Sequence, residues 1–172
     1  MDATSKFKDT LPTTPEKLLT LLYRLEIAYV MHRHPPLRTV EDSKAHRENM
    51  PGLHIKNFYL RDRKKQNFLF VVEEDRQIDM KSLNKKIGCE RLSFGSAERL
   101  FEMLGVRPGA VSPLTLINDP DHKVHLALDI ALRTDEVIYV HPLVNDMTLG
   151  IEGRHLIQFF AYTGHKVQWL DL

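Results

Sequence analysis

The chain has 172 residues, 42% hydrophobic and 27% charged, which suits one well-buried core and leaves little for a second full domain. A formal net charge of +1 excludes a bulk polycation but allows a local basic stripe balanced elsewhere. Cys89 is the single cysteine, excluding an intramolecular disulfide and any cysteine-rich zinc site. The first residues lack the apolar core of a signal peptide, and no segment approaches the roughly 20 apolar residues of a membrane span. A cytoplasmic protein with no membrane association is the expectation.

Residues 1–12 are polar and read as a flexible lead-in to a single domain over 13–172. Thr14 before Pro15 has the order of a helix N-cap and first helical residue, and Glu16 suits the positive helix end. Leu18, Leu19, Leu21, Leu22 and Leu25 continue this as an apolar stripe ending near Glu26 or Ile27. An extended run over 28–34 stops at Pro35 and Pro36. Thr39 starts a second helix running to about Asn49, closed by Pro51 and Gly52.

Two strands, 55–60 and 67–72, flank the charged tip 61–65 and read as a β-hairpin. Asp79 caps a short helix through Ile87 with Gly88 as its stop, and Ser96 caps another that Gly105 ends. Residues 114–117 and 124–128 look like strands around the turn 118–121. A β-branched and aromatic run over 137–140 predicts a buried strand. Gly153 opens a last helix to Gly164, and 166–170 closes the chain as a strand. Helices mixed with short hairpin-like strands predict an α/β fold with a single mixed, largely antiparallel sheet and surrounding helices.

Most familiar catalytic patterns are absent: there is no phosphate-binding loop, no nucleophile elbow and no dinucleotide fingerprint. His32 and His34 alternate on an extended stretch, a zinc-compatible spacing. No carboxylate or thiolate sits at a companion spacing, so a packing role at the sheet edge is favoured and no metal is expected. Cys89 has only Arg91 as a cationic neighbour, which does not make it a nucleophile.

Three features are odd for a purely structural protein. Lys56, followed by Asn57, lies in a half-apolar strand on the face of Phe58 and Leu60; it either snorkels at an edge or reaches into a cleft. Gly109, between Pro108 and Pro113, makes a backbone-exposing loop that is either a turn or a cradle for an anion. His141 and Pro142 directly follow the buried strand, a position suited to a reactive group or to a structural histidine.

These features fall within five runs: His-Arg-His-Pro-Pro-Leu-Arg-Thr-Val-Glu (32–41), His-Ile-Lys-Asn-Phe-Tyr-Leu-Arg-Asp (54–62), Arg-Leu-Ser-Phe-Gly (91–95), Gly-Ala-Val-Ser-Pro (109–113) and His-Pro-Leu-Val-Asn (141–145). In this order they resemble the YbaK/ProX family, the editing domain also inserted in bacterial prolyl-tRNA synthetases. The similarity runs from about residue 12 to the C-terminus and is nearest to the freestanding ProX or PrdX type, which deacylates alanine mischarged onto proline tRNA. The resemblance implies the YbaK fold and cofactor-free, metal-free ester hydrolysis. It implies Lys56 as the key polar residue, Gly109 and its neighbouring backbone as the site's shape, and His141 as a group that positions the substrate's end, with Asn57 beside them.

With no carboxylate standing out as a base, the expected mechanism is substrate assistance: the free ribose hydroxyl next to the ester orients or deprotonates the water. Lys56 would hold the ester carbonyl or the terminal phosphate, and N–H groups near Gly109 and Ala110 would face the oxyanion. Ser112 and Pro113 complete the expected substrate loop. Val30, Met31, Leu53 and Phe58 are expected to wall a pocket that admits alanine and rejects proline by size, since one methylene discriminates by only about 1–3 kcal/mol. Lys44, Arg47, Arg61, Arg63, Lys64 and Lys65 are candidate phosphate contacts. The expected partners are a mischarged tRNA and a prolyl-tRNA synthetase, with a monomeric or homodimeric protein. The rival readings are a Cys-tRNA or Ser/Thr-tRNA deacylase of the same fold, a tRNA- or synthetase-binding module without turnover, and a metal hydrolase using His32 and His34.

Overall fold

The computed structural model describes residues 1–37 and 39–172; Arg38, within the 32–41 run, lies outside the described residues. Helix α1 (Pro15–Arg24) starts where the sequence places it: Thr14 Oγ1 accepts the Lys17 N–H, and Leu18 and Leu22 are fully buried. Strand β1 (Val30–Arg33) follows. Helix α2 (Val40–Lys44) opens with a capping box between Thr39 and Asp42. It ends five residues before the expected Asn49. The chain turns at Arg47, whose carbonyl accepts the Met50 N–H and whose guanidinium is drawn into an ion pair with Glu74.

Strands β2 (Leu53–Arg61) and β3 (Asn67–Glu73) form the expected hairpin, with Phe58 opposite Phe70. Helix α3 (Met80–Ile87) is capped by Asp79 and stopped by left-handed Gly88; α4 (Ala97–Leu104) is capped by Ser96 and stopped by Gly105. Between them lies a two-residue strand, β4 (Ser93–Phe94), which the sequence did not announce. The run 114–117 is not a strand. It belongs to a 3-10 helix, Pro113–Asn118, because Ser112 caps the Leu114 N–H and Pro113 fixes the first helical φ. Strands β5 (Val124–Asp129), β6 (Val137–Val140) and β7 (Met147–Glu152), helix α5 (Gly153–Thr163) and strand β8 (Val167–Leu170) complete the chain.

The strands form one mixed sheet in the order β1-β7-β6-β2-β3-β5-β8, with β4 also on β2. Four of its seven pairings are antiparallel and three parallel. Helices cover both faces: α1, α4 and α5 pack with Leu69, Val71, Leu126 and Ile138, and α3 packs with Leu60, Phe70 and Val72. Strand β3, buried on both sides, is therefore apolar without alternation.

Residues 1–12 are not a loose lead-in. Ala3 and Leu11 join the core, Ser5–Thr10 forms a 3-10 helix, the Ala3 carbonyl accepts the Asn145 N–H at 2.8 Å, and Ser5 donates to Asp146. A polar segment is ordered here because the loop after β6 offers it hydrogen-bond partners.

Candidate active site

The decisive feature is a split in the sheet. Strand β6 pairs with β2 only at Leu53 and His54, and β4 pairs with the same side of β2 only at Leu60 and Arg61. Among the described residues, 55–58 therefore have no strand neighbour on that side, and a cleft opens between the diverging strands. An outer chamber of about 230 Å³ is lined by Leu37, Ile55, Lys56, Asn57, Gly109, Val111 and His141, among others. It shares Ser43, Ile55, Asn57, Glu74 and His141 with an inner recess of about 50 Å³ that also reaches His54 and Thr148.

Lys56, Asn57, Gly109 and His141, far apart in sequence, thus line one cavity. Lys56 Nζ donates to the Arg76 carbonyl. That carbonyl is held in place because the Arg76 guanidinium pairs with fully buried Asp129 (2.7 Å) and donates to the Leu172 carbonyl (3.1 Å). Asn57 Oδ1 is buried without a hydrogen-bond partner among the described residues. An orphaned acceptor on a cavity wall is costly unless a ligand or water satisfies it.

The 107–110 segment is a type II turn: the Ala110 N–H donates to the Arg107 carbonyl at 3.1 Å, Pro108 occupies the second position and Gly109 has φ +95°. The turn bond uses the Ala110 N–H, and Ala110 is fully buried, so this residue does not face the cleft as expected. The Gly109 N–H lies outside that bond. Ser112 and Pro113 are corrected likewise. Ser112 is fully buried and its Oγ donates to the His141 carbonyl at 2.6 Å; Pro113 is buried beneath the loop. Both support the site from behind.

The tautomer of His141 follows from its partners. Nδ1 lies 2.8 Å from the Met147 carbonyl, which only accepts, so Nδ1 carries the proton and Nε2 presents a lone pair. Burial pushes the His141 pKa down, against the raising effect of that hydrogen bond. Its neighbour His34, 6.2 Å away between ring centroids, is also lowered chiefly by burial. His34 engages Pro35 O and Thr148 Oγ1 with its two ring nitrogens, which leaves neither free for the zinc reading. Among the described residues no group of three or more His, Cys, Asp or Glu is arranged to hold a metal. Just after Pro142, Leu143 adopts φ +70° while almost fully buried, backbone strain of the kind that collects at functional sites.

The expected apolar wall is not the one present. Val30 is 62% exposed on edge strand β1; Met31 and Leu53 pack against the main core; Phe58 lies on the α3 face against Phe70 and Phe94. Leu37, Ile55 and Val111 take that position instead. Ile55 could have been inferred from its place beside Lys56; Leu37, Val111 and Thr148 carry no local signal. Of the expected phosphate contacts, Arg63, Lys64 and Lys65 project from the hairpin tip, and Arg61 donates to the Lys65 carbonyl. Lys44 sits 3.7 Å from Asp75 on the surface. Arg47 is not a free cation: it forms a two-pronged pair with buried Glu74 and bonds Ser43 Oγ, so it shapes the cleft wall.

A match to the aminoacyl-tRNA editing domain spans residues 34–159, and the chain belongs to that family. It is 33% identical over 159 residues to the prolyl-tRNA editing protein ProX of Acetoanaerobium sticklandii, covering 91% of this chain and 96% of the relative. Prolyl-tRNA synthetase associated domain-containing protein 1 of Mus musculus is 34% identical over 155 residues, covering 87% of this chain and 89% of that protein. The solved structure of a candidate trans-editing enzyme for prolyl tRNA synthetase superposes with a TM-score of 0.66 at 18% identity, over 92% of this chain and 96% of that one; it shares the fold. No helix of the described residues is long and apolar enough to cross a membrane.

Proposed function

We propose that this chain is a trans-acting aminoacyl-tRNA deacylase that removes alanine mischarged onto proline tRNA. The observation that carries the reading is the convergence of Lys56, Asn57, Gly109 and His141 on one cleft where β2 and β6 part. Water attacks the ester carbonyl, the bond to the ribose oxygen breaks, and that oxygen takes the proton; the products are free alanine and uncharged tRNA. Lys56 steadies the charge that develops on the carbonyl oxygen, assisted by the Gly109 N–H. Asn57 Oδ1, which has no partner among the described residues, accepts from the substrate's α-ammonium group. The neutral His141 ring accepts a hydrogen bond at Nε2 from the terminal ribose, whose free hydroxyl activates the water.

Alanine is favoured because the chamber of about 230 Å³ must hold both ribose and aminoacyl group. Its apolar wall of Leu37, Ile55 and Val111 suits a methyl side chain better than a hydroxymethyl or a pyrrolidine ring. The test is a panel of proline tRNAs carrying alanine, cysteine, serine or proline, with Lys56→Ala as control. Alanine should be released fastest and proline retained. Full activity of Lys56→Ala would sink the mechanism, and preference for a cysteinyl or seryl ester would reassign the substrate.

A further inference from the structure

Beyond the hydrolytic cleft, we infer that Phe94 is a stacking platform for an unpaired base of the substrate's 3′ strand, next to the ester-bearing nucleotide. This rests on the deacylase reading. Phe94 is 65% exposed on β4. A single exposed apolar side chain is ordinary, but this one is fixed in a particular place. Its ring meets Phe58 at 5.7 Å between centroids, and Phe58 is itself stacked on Phe70. The Gly95 N–H donates to the Tyr59 carbonyl, and a Cβ at Gly95 would fall 2.1 Å from the Tyr59 ring. Only glycine lets the chain pass so low, and that pass seats Phe94 against β2.

The location connects the platform to the cleft. Phe94 pairs with Leu60, so it shares the strand face of Phe58 and Lys56, and strand geometry places Leu60 about 13 Å from Lys56 along β2. Asn57 and Phe58, between them, belong to the stretch that has no strand neighbour on that side among the described residues. A chain leaving the cleft therefore meets open strand edge, then an aromatic face, then the basic tip. Within the tip Arg61, Arg63, Lys64 and Lys65 stand against Asp62, which is buried and accepts the Gln66 N–H; the exposed Glu90 and Arg91 adjoin it, the Glu90 carbonyl accepting the Arg63 N–H, so the cations there outnumber the acids. An aromatic face bordered by cations fits single-stranded nucleic acid: the ring takes a base and the cations take the backbone. An apolar protein partner would not call for that charge.

Three measurements decide it. On alanyl-tRNA, Phe94→Ala should raise KM about tenfold with kcat unchanged, and Phe94→Trp should restore wild-type KM. On alanyl-adenosine, which ends at the ester-bearing nucleoside, wild type and Phe94→Ala should be equal. A cytidine-cytidine-adenosine trinucleotide should saturably quench the indole introduced by Phe94→Trp. An unchanged KM on tRNA, an equal loss on both substrates, or no quenching overturns the platform. If the wild type hydrolyses no aminoacyl ester, the deacylase reading fails, and the quenching arm alone judges whether Phe94 takes a base.

Discussion

Ser112 Oγ donates to the His141 carbonyl at 2.6 Å while accepting the Leu114 N–H at 3.2 Å. One buried hydroxyl thus ties the glycine turn, the 3-10 helix beneath it and the end of β6 into a single unit. Ser112→Ala leaves a buried carbonyl and an N–H without this partner, a cost of about 1–3 kcal/mol. Urea unfolding should show that loss. Deacylation should fall as well, because His141 and Gly109 would no longer be held in register; an unchanged rate would separate the hydrogen bond from the chemistry.

Gly109 should tolerate no side chain. With φ at +95° any L residue is strained, and an added Cβ would lie 3.2 Å from Asn145 Nδ2. Gly109→Ala should cost about 1–2 kcal/mol of stability and lower kcat/KM by more than that unfolding explains. Thermal melts run beside single-turnover assays would test both.

Lys56→Ala should lower kcat by about 10²–10³-fold, the scale of removing one donor to a developing oxyanion. Stability should hardly change, since among the described residues the ammonium of this half-buried residue makes one hydrogen bond, to the Arg76 carbonyl. Lys56→Arg should not rescue, because a planar fork cannot occupy the place of a compact ammonium. Equilibrium unfolding and kcat measured on the same preparations give the comparison.

The acid limb of the pH profile should report His141. Its folded pKa is depressed below 6.5, chiefly by burial, so the folded state binds fewer protons than the unfolded chain as pH falls below 6.5. Stability is full above that value and is lost as pH drops through the lowered pKa. Activity should run in the same direction: flat near neutrality, with a midpoint below 6.5 where Nε2 gains its proton. His141→Asn should lower the plateau and remove that midpoint; a rate that instead rises on acidification would refute the acceptor role.

Arg47 and the hairpin tip should behave as different kinds of cation. Arg63→Ala, Lys64→Ala and Lys65→Ala should weaken tRNA binding in a salt-dependent way, each reducing the log–log salt slope by about 0.7–0.9. Arg47→Ala instead strands the buried Glu74 carboxylate, at a cost of about 3 kcal/mol. Filter binding over a salt series, read beside thermal melts, would sort the two classes.

Local chemistry made much of the chain legible. Thr14 with Pro15, Asp79 with Gly88, and Ser96 with Gly105 each act within a few residues, and the helices begin and end there. Strand β7 was silent because Gly150 interrupts its pattern. The structure supplies the reason: Tyr139 and Val137 on the neighbouring strand would each lie 3.0 Å from a Cβ at that position. The pairing of β2 with β6 joins residues 85 apart through two register positions, Leu53 with Ile138 and His54 with Tyr139, and leaves no periodic trace. Lys56, Gly109 and His141, which line the cleft, were readable as individual oddities. The pocket wall was not, since Leu37 and Val111 reach it only through the tertiary course of their loops.

The gap beside β2 has a consequence for how such a protein can change its substrate. Hydrogen-bonding groups along an unfilled strand edge belong to the main chain, so no point substitution deletes them, and a strand edge is a general docking surface for extended ligands. Leu37, Ile55 and Val111 can be exchanged around that constant element. On the deacylase reading proposed above, selectivity for the amino acid would drift through these three apolar positions while the open edge of β2 stays where the topology put it.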